Sequence, residues 1–199
     1  MRRSETYPLR RRRVVETLLA DRGGLLVVAG LGAPCWDVTA AGDHALTFPL
    51  WGAMGSAVLI GLGLALAQPA RRVLVITGDG EMLMGLGGLA TVAVQAPENL
   101  AIAVLDNECY GETGMQATHT AFGVDLAAVA AAAGLPVTGT VADDAGLGAA
   151  VAQLRGAQGP VFFTIKVRAE DLPLALPPRD GVHLKNRFRG ALLGEKEAV

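Results

Sequence analysis

Short apolar runs alternate with helix-length segments along most of this chain. Residues 73–77 and 100–105 are nearly continuous runs of aliphatic side chains, which are typical of strands buried on both faces of a parallel sheet. Residues 81–95 between them are rich in Leu, Met and Ala and stop just before Pro97, so we predict a single helix there. The pattern therefore predicts a right-handed βαβ unit.

The same pattern extends to both sides of that unit. We predict a polar helix at 9–20, a strand at 25–29, a loop at 34–45, a buried helix from Ser56, a Gly/Thr-rich loop at 110–120, a helix at 126–133, a strand at 136–141, a helix capped by Asp143 or Asp144, and a strand at 161–167. These elements predict an α/β fold, a single three-layer domain with a mainly parallel sheet over residues 25–170. An N-terminal helical segment (1–24) precedes this domain. A C-terminal tail (171–199), proline-rich and then basic, follows it as a candidate subunit contact.

Composition narrows the class of protein. The chain is 51% hydrophobic and has a net charge of −2, which gives no overall attraction to nucleic acid. Its two cysteines are too few for a disulfide framework. The apolar stretch at 53–67 is too short and glycine-rich to span a bilayer, and the first residues lack the apolar segment of a secretory signal. We therefore expect a cytoplasmic protein that binds neither nucleic acid nor a membrane.

Two potential metal ligands follow the strands of the βαβ unit. Asp79, between Gly78 and Gly80, follows the first strand, and Asn107 follows the second. The carboxyl ends of parallel strands share one edge of a sheet, where open α/β folds bind their ligands. Carboxylate and amide oxygens suit Mg²⁺, which usually completes its octahedron with phosphate and water oxygens. The sequence therefore predicts a site for magnesium and a diphosphate.

The spacing of these residues carries a resemblance to a known family. The pattern G-D-G, then about 26 residues, then N resembles the diphosphate-binding (PP) domain of thiamine diphosphate enzymes. Within that family, residues 78–120 are most similar to the decarboxylases of sulfopyruvate and phosphonopyruvate, and the resemblance covers roughly residues 25–167. It implies the thiamine diphosphate-binding fold, with thiamine diphosphate and Mg²⁺ as cofactors.

A second motif, Trp51 to Ser56, resembles the G-x-M-G segment that cradles the aminopyrimidine ring in these enzymes. By that resemblance the Gly52 carbonyl would accept a hydrogen bond from the 4′-amino group, and Met54 would separate the two rings. The bent cofactor would then remove its own thiazolium proton in an intramolecular step.

The resemblance also assigns roles to residues around both motifs. It implies that Asp79, Asn107 and the backbone carbonyl of Cys109 bind the metal. The implied cofactor-binding residues are Gly52, Met54, Gly55, Ser56, Gly78, Asp79, Gly80, Glu81, Asn107, Tyr110 and Gly111. Glu81 replaces the Ser or Ala that is usual in the family, so we expect its side chain to face away from the diphosphate. Met54 and His119 are the candidate catalytic residues, and His119 would orient substrate or cofactor.

One residue that this chemistry needs is missing from the predicted domain. The family activates its cofactor with a glutamate from a pyrimidine-binding (PYR) domain, and a chain of 199 residues has room for one such domain. The resemblance therefore implies a separate PYR-domain subunit that supplies the glutamate, in a hetero-oligomer with the active site between subunits. The implied substrate is a small 2-oxoacid.

Other functions remain open from the sequence. The chain could belong to a carboligase or synthase, or could be a scaffold that retains the fold without turnover. A ferredoxin-linked oxidoreductase is disfavoured because the sequence has no C-x-x-C cluster for iron–sulfur ligands. Dinucleotide binding is also weakly supported, because Cys35 replaces the third glycine of the fingerprint that begins at Gly30. The basic clusters at 10–13 and 183–189 are candidate subunit contacts. Arg187 or Arg189 could bind a sulfonate or phosphonate group.

Overall fold

The computed structural model describes residues 2–194, so the predicted tail (171–199) and N-terminal segment (1–24) extend beyond the described residues. The helices are α1 (Arg11–Leu19), α2 (Ala33–Ala40), α3 (Ala57–Ala67), α4 (Asp79–Met84), α5 (Gly88–Gln95), α6 (Leu126–Ala133), α7 (Asp144–Gly156) and α8 (Gly181–Leu193). The strands are β1 (Leu26–Ala29), β2 (Thr47–Pro49), β3 (Val73–Gly78), β4 (Leu100–Asp106), β5 (Cys109–Tyr110), β6 (Gln116–Ala117), β7 (Val137–Val141) and β8 (Val161–Lys166). Each helix within residues 2–194 is too short or too polar to cross a lipid bilayer.

Six of these strands form one sheet in the order β2-β1-β3-β4-β8-β7, and each neighbouring pair is parallel. This confirms the predicted mainly parallel sheet. From β1 the chain first adds β2 on one side and then crosses back to add β3 on the other. The strand order therefore reverses between β1 and β3, which is where open sheets of this type leave a crevice for a ligand.

Helices cover both faces of the sheet and make the predicted three layers. Side chains along a strand point alternately to opposite faces. Val75 and Ile102 belong to a core covered by α3, α5, α6 and α8, whereas Leu74 and Ala101 belong to a core covered by α1, α2 and α7. The strands are buried on both faces, which explains why their sequences are almost wholly apolar.

The single crossover helix predicted at 81–95 is wrong, because a turn divides this segment into α4 and α5. Gly85 lies at the break, and a Cβ atom there would be 2.0 Å from the carbonyl oxygen of Gly55. The chain therefore bends where the loop before α3 packs against it. Glycine is required at that contact because any side chain would collide with backbone.

The loop predicted at 34–45 is also wrong, because α2 occupies its first half. Pro34 lies in the first turn of α2, where a missing N–H and a fixed φ angle are compatible with a helix. The helix is short, and Cys35, Trp36 and Val38 are all buried. It therefore lacks the amphipathic pattern by which a surface helix is found in a sequence.

The C-terminal tail contains a helix that packs on its own domain. Asp180 caps α8 by accepting hydrogen bonds from the backbone N–H groups of Val182 and His183. Leu184 and Phe188, one turn apart, are buried, and the Phe188 ring lies 5.7 Å from that of Phe48 in β2. The predicted domain boundary at 170 therefore lies between β8 and α8, although Phe188 of α8 packs in the same core as Val75 and Ile102.

Candidate cofactor site

A cavity of about 320 Å³ lies at the carboxyl edge of the sheet, beside the ends of β1, β3 and β4. The predicted site residues on its wall are Met54, Gly78, Asp79, Gly80, Glu81, Asn107, Cys109, Tyr110 and Gly111. They come from three separate segments of the chain. The fold therefore gathers most of the predicted site around one space.

Asp79, the first residue of α4, is 2% exposed. Its Oδ2 atom accepts hydrogen bonds from the hydroxyls of Thr118 at 2.6 Å and Thr120 at 3.3 Å. Burial, followed by the nearby carboxylate of Asp106, raises the pKa of Asp79 to about 7, although the two hydroxyls act in the opposite direction. The Oδ1 atom takes no part in these hydrogen bonds and is the oxygen left to bind a cation.

The turn after β4 carries the other two predicted metal ligands. Asn107 is buried, and its Oδ1 atom accepts a hydrogen bond from the backbone N–H of Cys109 at 3.0 Å. Between them Glu108 adopts a left-handed conformation with φ of 61°, which is uncommon for a residue with a side chain. The two ligand positions are therefore related by a tight and strained turn.

The Glu108 carboxylate anchors this turn to the rest of the domain. Its Oε1 atom accepts hydrogen bonds from Arg3, from the Tyr7 hydroxyl at 2.6 Å and from Lys166 at 3.4 Å. Burial raises the pKa of Glu108, but the hydrogen bonds from Arg3 and Tyr7 outweigh it, so the pKa is lowered overall. The N-terminal segment therefore helps to hold the turn that carries the predicted metal ligands.

Gly80 allows an aromatic wall to approach the backbone. A Cβ atom at Gly80 would lie 2.6 Å from a ring carbon of Tyr110, far inside van der Waals contact. The Tyr110 ring therefore lies directly against the first turn of α4, and both residues border the cavity.

Comparison with known proteins decides the family. Residues 31–165 match the family described as "Thiamine pyrophosphate enzyme, C-terminal TPP binding domain", thiamine pyrophosphate being another name for thiamine diphosphate. The chain belongs to this family. Sulfopyruvate decarboxylase subunit beta of Methanothermobacter thermautotrophicus is 41% identical over 172 residues, which make up 86% of this chain and 89% of that protein.

Other relatives are longer than this TPP-binding chain. Phosphonopyruvate decarboxylase of Streptomyces hygroscopicus is 38% identical over 177 residues, which are 88% of this chain but 44% of that protein. The crystal structure of benzoylformate decarboxylase from Polynucleobacter necessarius superposes with a TM-score of 0.67 at 22% identity, covering 84% of this chain and 34% of that one. That likeness shows the fold, and the chain spans about a third of the solved enzyme.

The residues of this TPP-binding domain fit a diphosphate with Mg²⁺. Asp79 and Asn107 provide oxygen ligands, the type that Mg²⁺ prefers. Within residues 2–194, no three His, Cys, Asp or Glu side chains are grouped so that they could hold a metal ion by themselves. A metal at Asp79 and Asn107 would therefore take its remaining ligands from backbone, phosphate and water oxygens, as Mg²⁺ commonly does.

The G-x-M-G loop of the TPP-binding domain meets the cavity through one residue. Met54 borders the cavity and is 40% exposed, whereas Gly52, Gly55 and Ser56 are not among the described wall residues. Gly55 has φ of 92° and Ala53 has φ of 57°, so the loop turns sharply on both sides of Met54. The predicted cofactor contacts of Gly52, Gly55 and Ser56 stay predictions.

Glu81 borders the cavity but its carboxyl group is directed at the end of β1. Its Oε2 atom accepts a hydrogen bond from the Thr77 hydroxyl at 2.7 Å, and a Cβ atom at Gly30 would lie 2.0 Å from it. Burial raises the pKa of Glu81, opposed first by the Thr77 hydroxyl. The carboxyl group is therefore held at the end of β1, and its orientation relative to a bound diphosphate stays a prediction.

His119 and the basic tail lie away from the cavity of this family member. His119 is exposed and is not among the described wall residues, so its predicted catalytic role stays a prediction. Arg187 forms a two-pronged ion pair with Asp43, at 2.6 and 3.0 Å. Neither Arg187 nor Arg189 borders the cavity in the described part of the chain.

Sequence patterns did not predict three other residues at the site. Thr118 and Thr120, on either side of His119, are buried and donate hydrogen bonds to Asp79, and Arg11 borders the cavity from α1. The alternation of Thr118, His119 and Thr120 is the one available signal, since it turns both hydroxyls inward and the imidazole outward. Arg11 is one of four consecutive arginines, and nothing in that run distinguishes the buried one.

Proposed function

We propose that this chain is the diphosphate- and Mg²⁺-binding subunit of a heteromeric thiamine diphosphate-dependent 2-oxoacid decarboxylase. The observation that carries this proposal is that Asp79, Asn107 and Met54 border one cavity. The match to sulfopyruvate decarboxylase subunit beta along 89% of that protein supports a subunit role. The proposed substrate is a 2-oxoacid with a second anionic group, such as sulfopyruvate or phosphonopyruvate.

The chain's own residues would bind and orient the cofactor. Asp79, Asn107 and the Cys109 carbonyl would hold Mg²⁺, and the ion would neutralise part of the diphosphate charge. Met54 would support the bent shape of the cofactor, and the Gly52 carbonyl would accept a hydrogen bond from its aminopyrimidine. When bound, thiamine diphosphate supplies the electron sink for loss of carbon dioxide.

A second subunit would complete the site. Met54, at the ring end of the proposed cofactor position, is 40% exposed, so this end is open to solvent in the single chain. A PYR-domain partner covering it would exclude water and bring the activating glutamate to the ring. Both cysteines are free and buried, which agrees with the cytoplasmic location we propose.

The first test is calorimetric titration of thiamine diphosphate with and without Mg²⁺. It would use the chain alone and the chain co-purified with a PYR-domain protein encoded by a neighbouring gene, with Asp79→Ala as the control. We expect Mg²⁺-dependent binding that tightens with the partner and is lost in Asp79→Ala. Absence of binding under every condition would leave a scaffold and refute the proposed enzyme.

The second test separates decarboxylase from carboligase. The assembled protein would be incubated with sulfopyruvate, phosphonopyruvate or pyruvate, and carbon dioxide and the organic product would be measured together. We expect one aldehyde for each carbon dioxide, with the highest kcat/KM for an oxoacid that carries a second anionic group. A product that joins two substrate molecules would instead identify a carboligase.

A further inference from the structure

A buried arginine faces the candidate cofactor site. Arg11 is 8% exposed, yet it borders the cavity together with the acidic residues Asp79 and Glu112. It is the single cationic side chain among the described wall residues. A diphosphate bound beside these acidic residues would be repelled unless a metal ion or this guanidinium offset their charge.

Arg11 is held in place by an ion pair with a buried carboxylate. Its Nε atom lies 3.0 Å from Oδ2 of Asp37, which is fully buried. The two atoms are close enough for a strong charge interaction but are not aligned as a hydrogen bond. Nε therefore faces Asp37, and the ion pair fixes the position of the guanidinium at the cavity wall.

The same carboxylate also binds a second arginine. Arg12 donates from Nε to Oδ1 of Asp37 at 3.1 Å and from Nη2 to the Pro173 carbonyl at 2.9 Å. One carboxylate therefore lies between two guanidinium groups, and the cluster of Asp37, Arg11 and Arg12 keeps a net positive charge. Arg12 is not among the described wall residues, so the excess charge is presented to the cavity by Arg11.

The position of Arg11 indicates which end of the cofactor it meets. Just before α1, the Leu9 carbonyl accepts a hydrogen bond from the N–H of Arg168 at 2.8 Å, which places the start of α1 beside the carboxyl end of β8. Met54 follows β2, at the other side of the sheet, and the proposed metal ligands lie between them. In thiamine diphosphate the thiazolium ring lies between the aminopyrimidine and the diphosphate. A cofactor with its rings at Met54 would therefore place its diphosphate nearer to Arg11.

We propose that Arg11 binds the terminal phosphate of the diphosphate, and this proposal rests on the function proposed above. Arginine presents several N–H donors in a planar fork that matches phosphate oxygens. The diphosphate carries more negative charge than one Mg²⁺ neutralises, and Arg11 supplies the remaining positive charge. Asp37 is then a positioning residue, because it fixes the guanidinium without contacting the ligand.

The experiment compares thiamine diphosphate with thiamine monophosphate, in Mg²⁺ and without substrate, on the partner-bound protein. Arg11→Met should weaken thiamine diphosphate binding by about 10- to 100-fold, the equivalent of one or two hydrogen bonds to a charged group. Binding of the monophosphate, which lacks the terminal phosphate, should change by less than about 3-fold. The affinity of Arg11→Lys for thiamine diphosphate should lie between those of wild type and Arg11→Met, since lysine keeps the charge and lacks the planar fork of N–H donors.

Arg12→Met is the matched control, because it removes the other guanidinium from the same carboxylate. It should lower the melting temperature by an amount similar to Arg11→Met and leave thiamine diphosphate binding within about 3-fold of wild type. Equal losses of cofactor affinity in both variants would show a structural role and overturn the proposal. Should Arg11→Met not fold, Arg11→Lys is compared with Arg12→Lys in the same way.

Two further outcomes separate this proposal from its alternatives. If Arg11→Met binds thiamine diphosphate normally but raises KM for sulfopyruvate and not for pyruvate, the residue binds the second anion of the substrate, and the phosphate assignment is wrong. If wild-type protein binds no thiamine diphosphate, the proposed function itself fails. Wild-type binding together with unchanged binding by Arg11→Met refutes the proposed role of Arg11 alone.

Discussion

Asp79→Asn should stabilise the cofactor-free protein, even though it removes a proposed metal ligand. In the folded chain Asp79 is 2% exposed, and burial together with the Asp106 carboxylate raises its pKa to about 7 from the usual 3.8. An asparagine side chain occupies the same volume and has an oxygen that can accept the hydrogen bond from Thr118. It carries no charge at any pH, so it avoids the unfavourable ionisation.

The size of the effect follows from linkage between proton binding and folding. Between pH 3.8 and 7 the unfolded chain has lost the Asp79 proton while the folded chain retains it, so the stability of wild type falls as the pH rises. A pKa raised from 3.8 to about 7 corresponds to about 4 kcal/mol at pH above 7. About 3 kcal/mol of this loss falls between pH 4.5 and pH 8.

Urea unfolding measures this directly. The free energy of unfolding would be determined at several pH values from 4.5 to 8 for wild type and Asp79→Asn, with chelator present and cofactor absent. The free energy of unfolding of Asp79→Asn should exceed that of wild type by an amount that grows as the pH rises. Asp21→Asn is the control, because Asp21 is exposed and its φ of 47° suits asparagine. Its free energy of unfolding should change with pH in the same way as that of wild type.

A difference between Asp79→Asn and wild type that is constant across the pH range would refute this reasoning. It would mean that Asp79 ionises in the folded chain as easily as in the unfolded chain, through compensation by Thr118, Thr120 or solvent. Ionisation of Asp79 would then not reduce the stability of the folded chain.

Three other substitutions test separate parts of the site and fold. Gly80→Ala places a methyl group 2.6 Å from the Tyr110 ring, so it should lower the free energy of unfolding by about 1–3 kcal/mol and weaken Mg²⁺-dependent cofactor binding. Gly87→Ala is the control, because its added Cβ meets nothing within 4 Å, and it should change neither quantity. Glu108→Gln removes the negative charge to which Arg3, Tyr7 and Lys166 donate hydrogen bonds. It should lower the free energy of unfolding, measured in urea at pH 7, by about 2 kcal/mol, and it should also weaken metal binding. Phe188→Ala should cost about 3 kcal/mol in thermal and urea unfolding, and an unchanged melting temperature would contradict the packing of α8 on β2.

The central strands and the positions of the proposed metal ligands at one edge of the sheet could be predicted because their signals are local. Residues 73–77 and 100–105 are apolar since both faces of the sheet are covered, and that leaves an unbroken run in the sequence. Asp79 and Asn107 directly follow those runs, so parallel pairing of β3 and β4 is sufficient to bring them to one edge. No knowledge of distant loops is needed for that inference.

The rest of the site depends on contacts between distant segments. Thr118 reaches Asp79 across 39 positions, and the Arg3 contact with Glu108 spans 105. Periodicity carries no information about such pairs. The break at Gly85 is of the same kind, because its cause is the backbone of Gly55 in another loop.

The helix α8 is a different case, since its signal was present in the sequence. Leu184, Phe188 and Leu192 recur at intervals of four residues after Asp180, which is an N-cap followed by one apolar stripe. The basic side chains between them led us to interpret the segment as a candidate subunit contact. Amphipathic helices have polar residues on their outer face, so charge on one face of this segment did not argue against helix formation.

Burial changes systematically along the cavity, and this bears on how the active site is divided between subunits. Asp79, Asn107 and Arg11 are each less than a tenth exposed, whereas Met54 is 40% exposed. The proposed diphosphate end is therefore formed within this chain, where low solvent access strengthens every charge interaction. The proposed ring end depends on a surface that this chain does not supply. Such a division would separate cofactor affinity from turnover. Under the proposed function, this chain would retain the cofactor through its phosphates, and reaction would begin only when the partner covers the rings and excludes water.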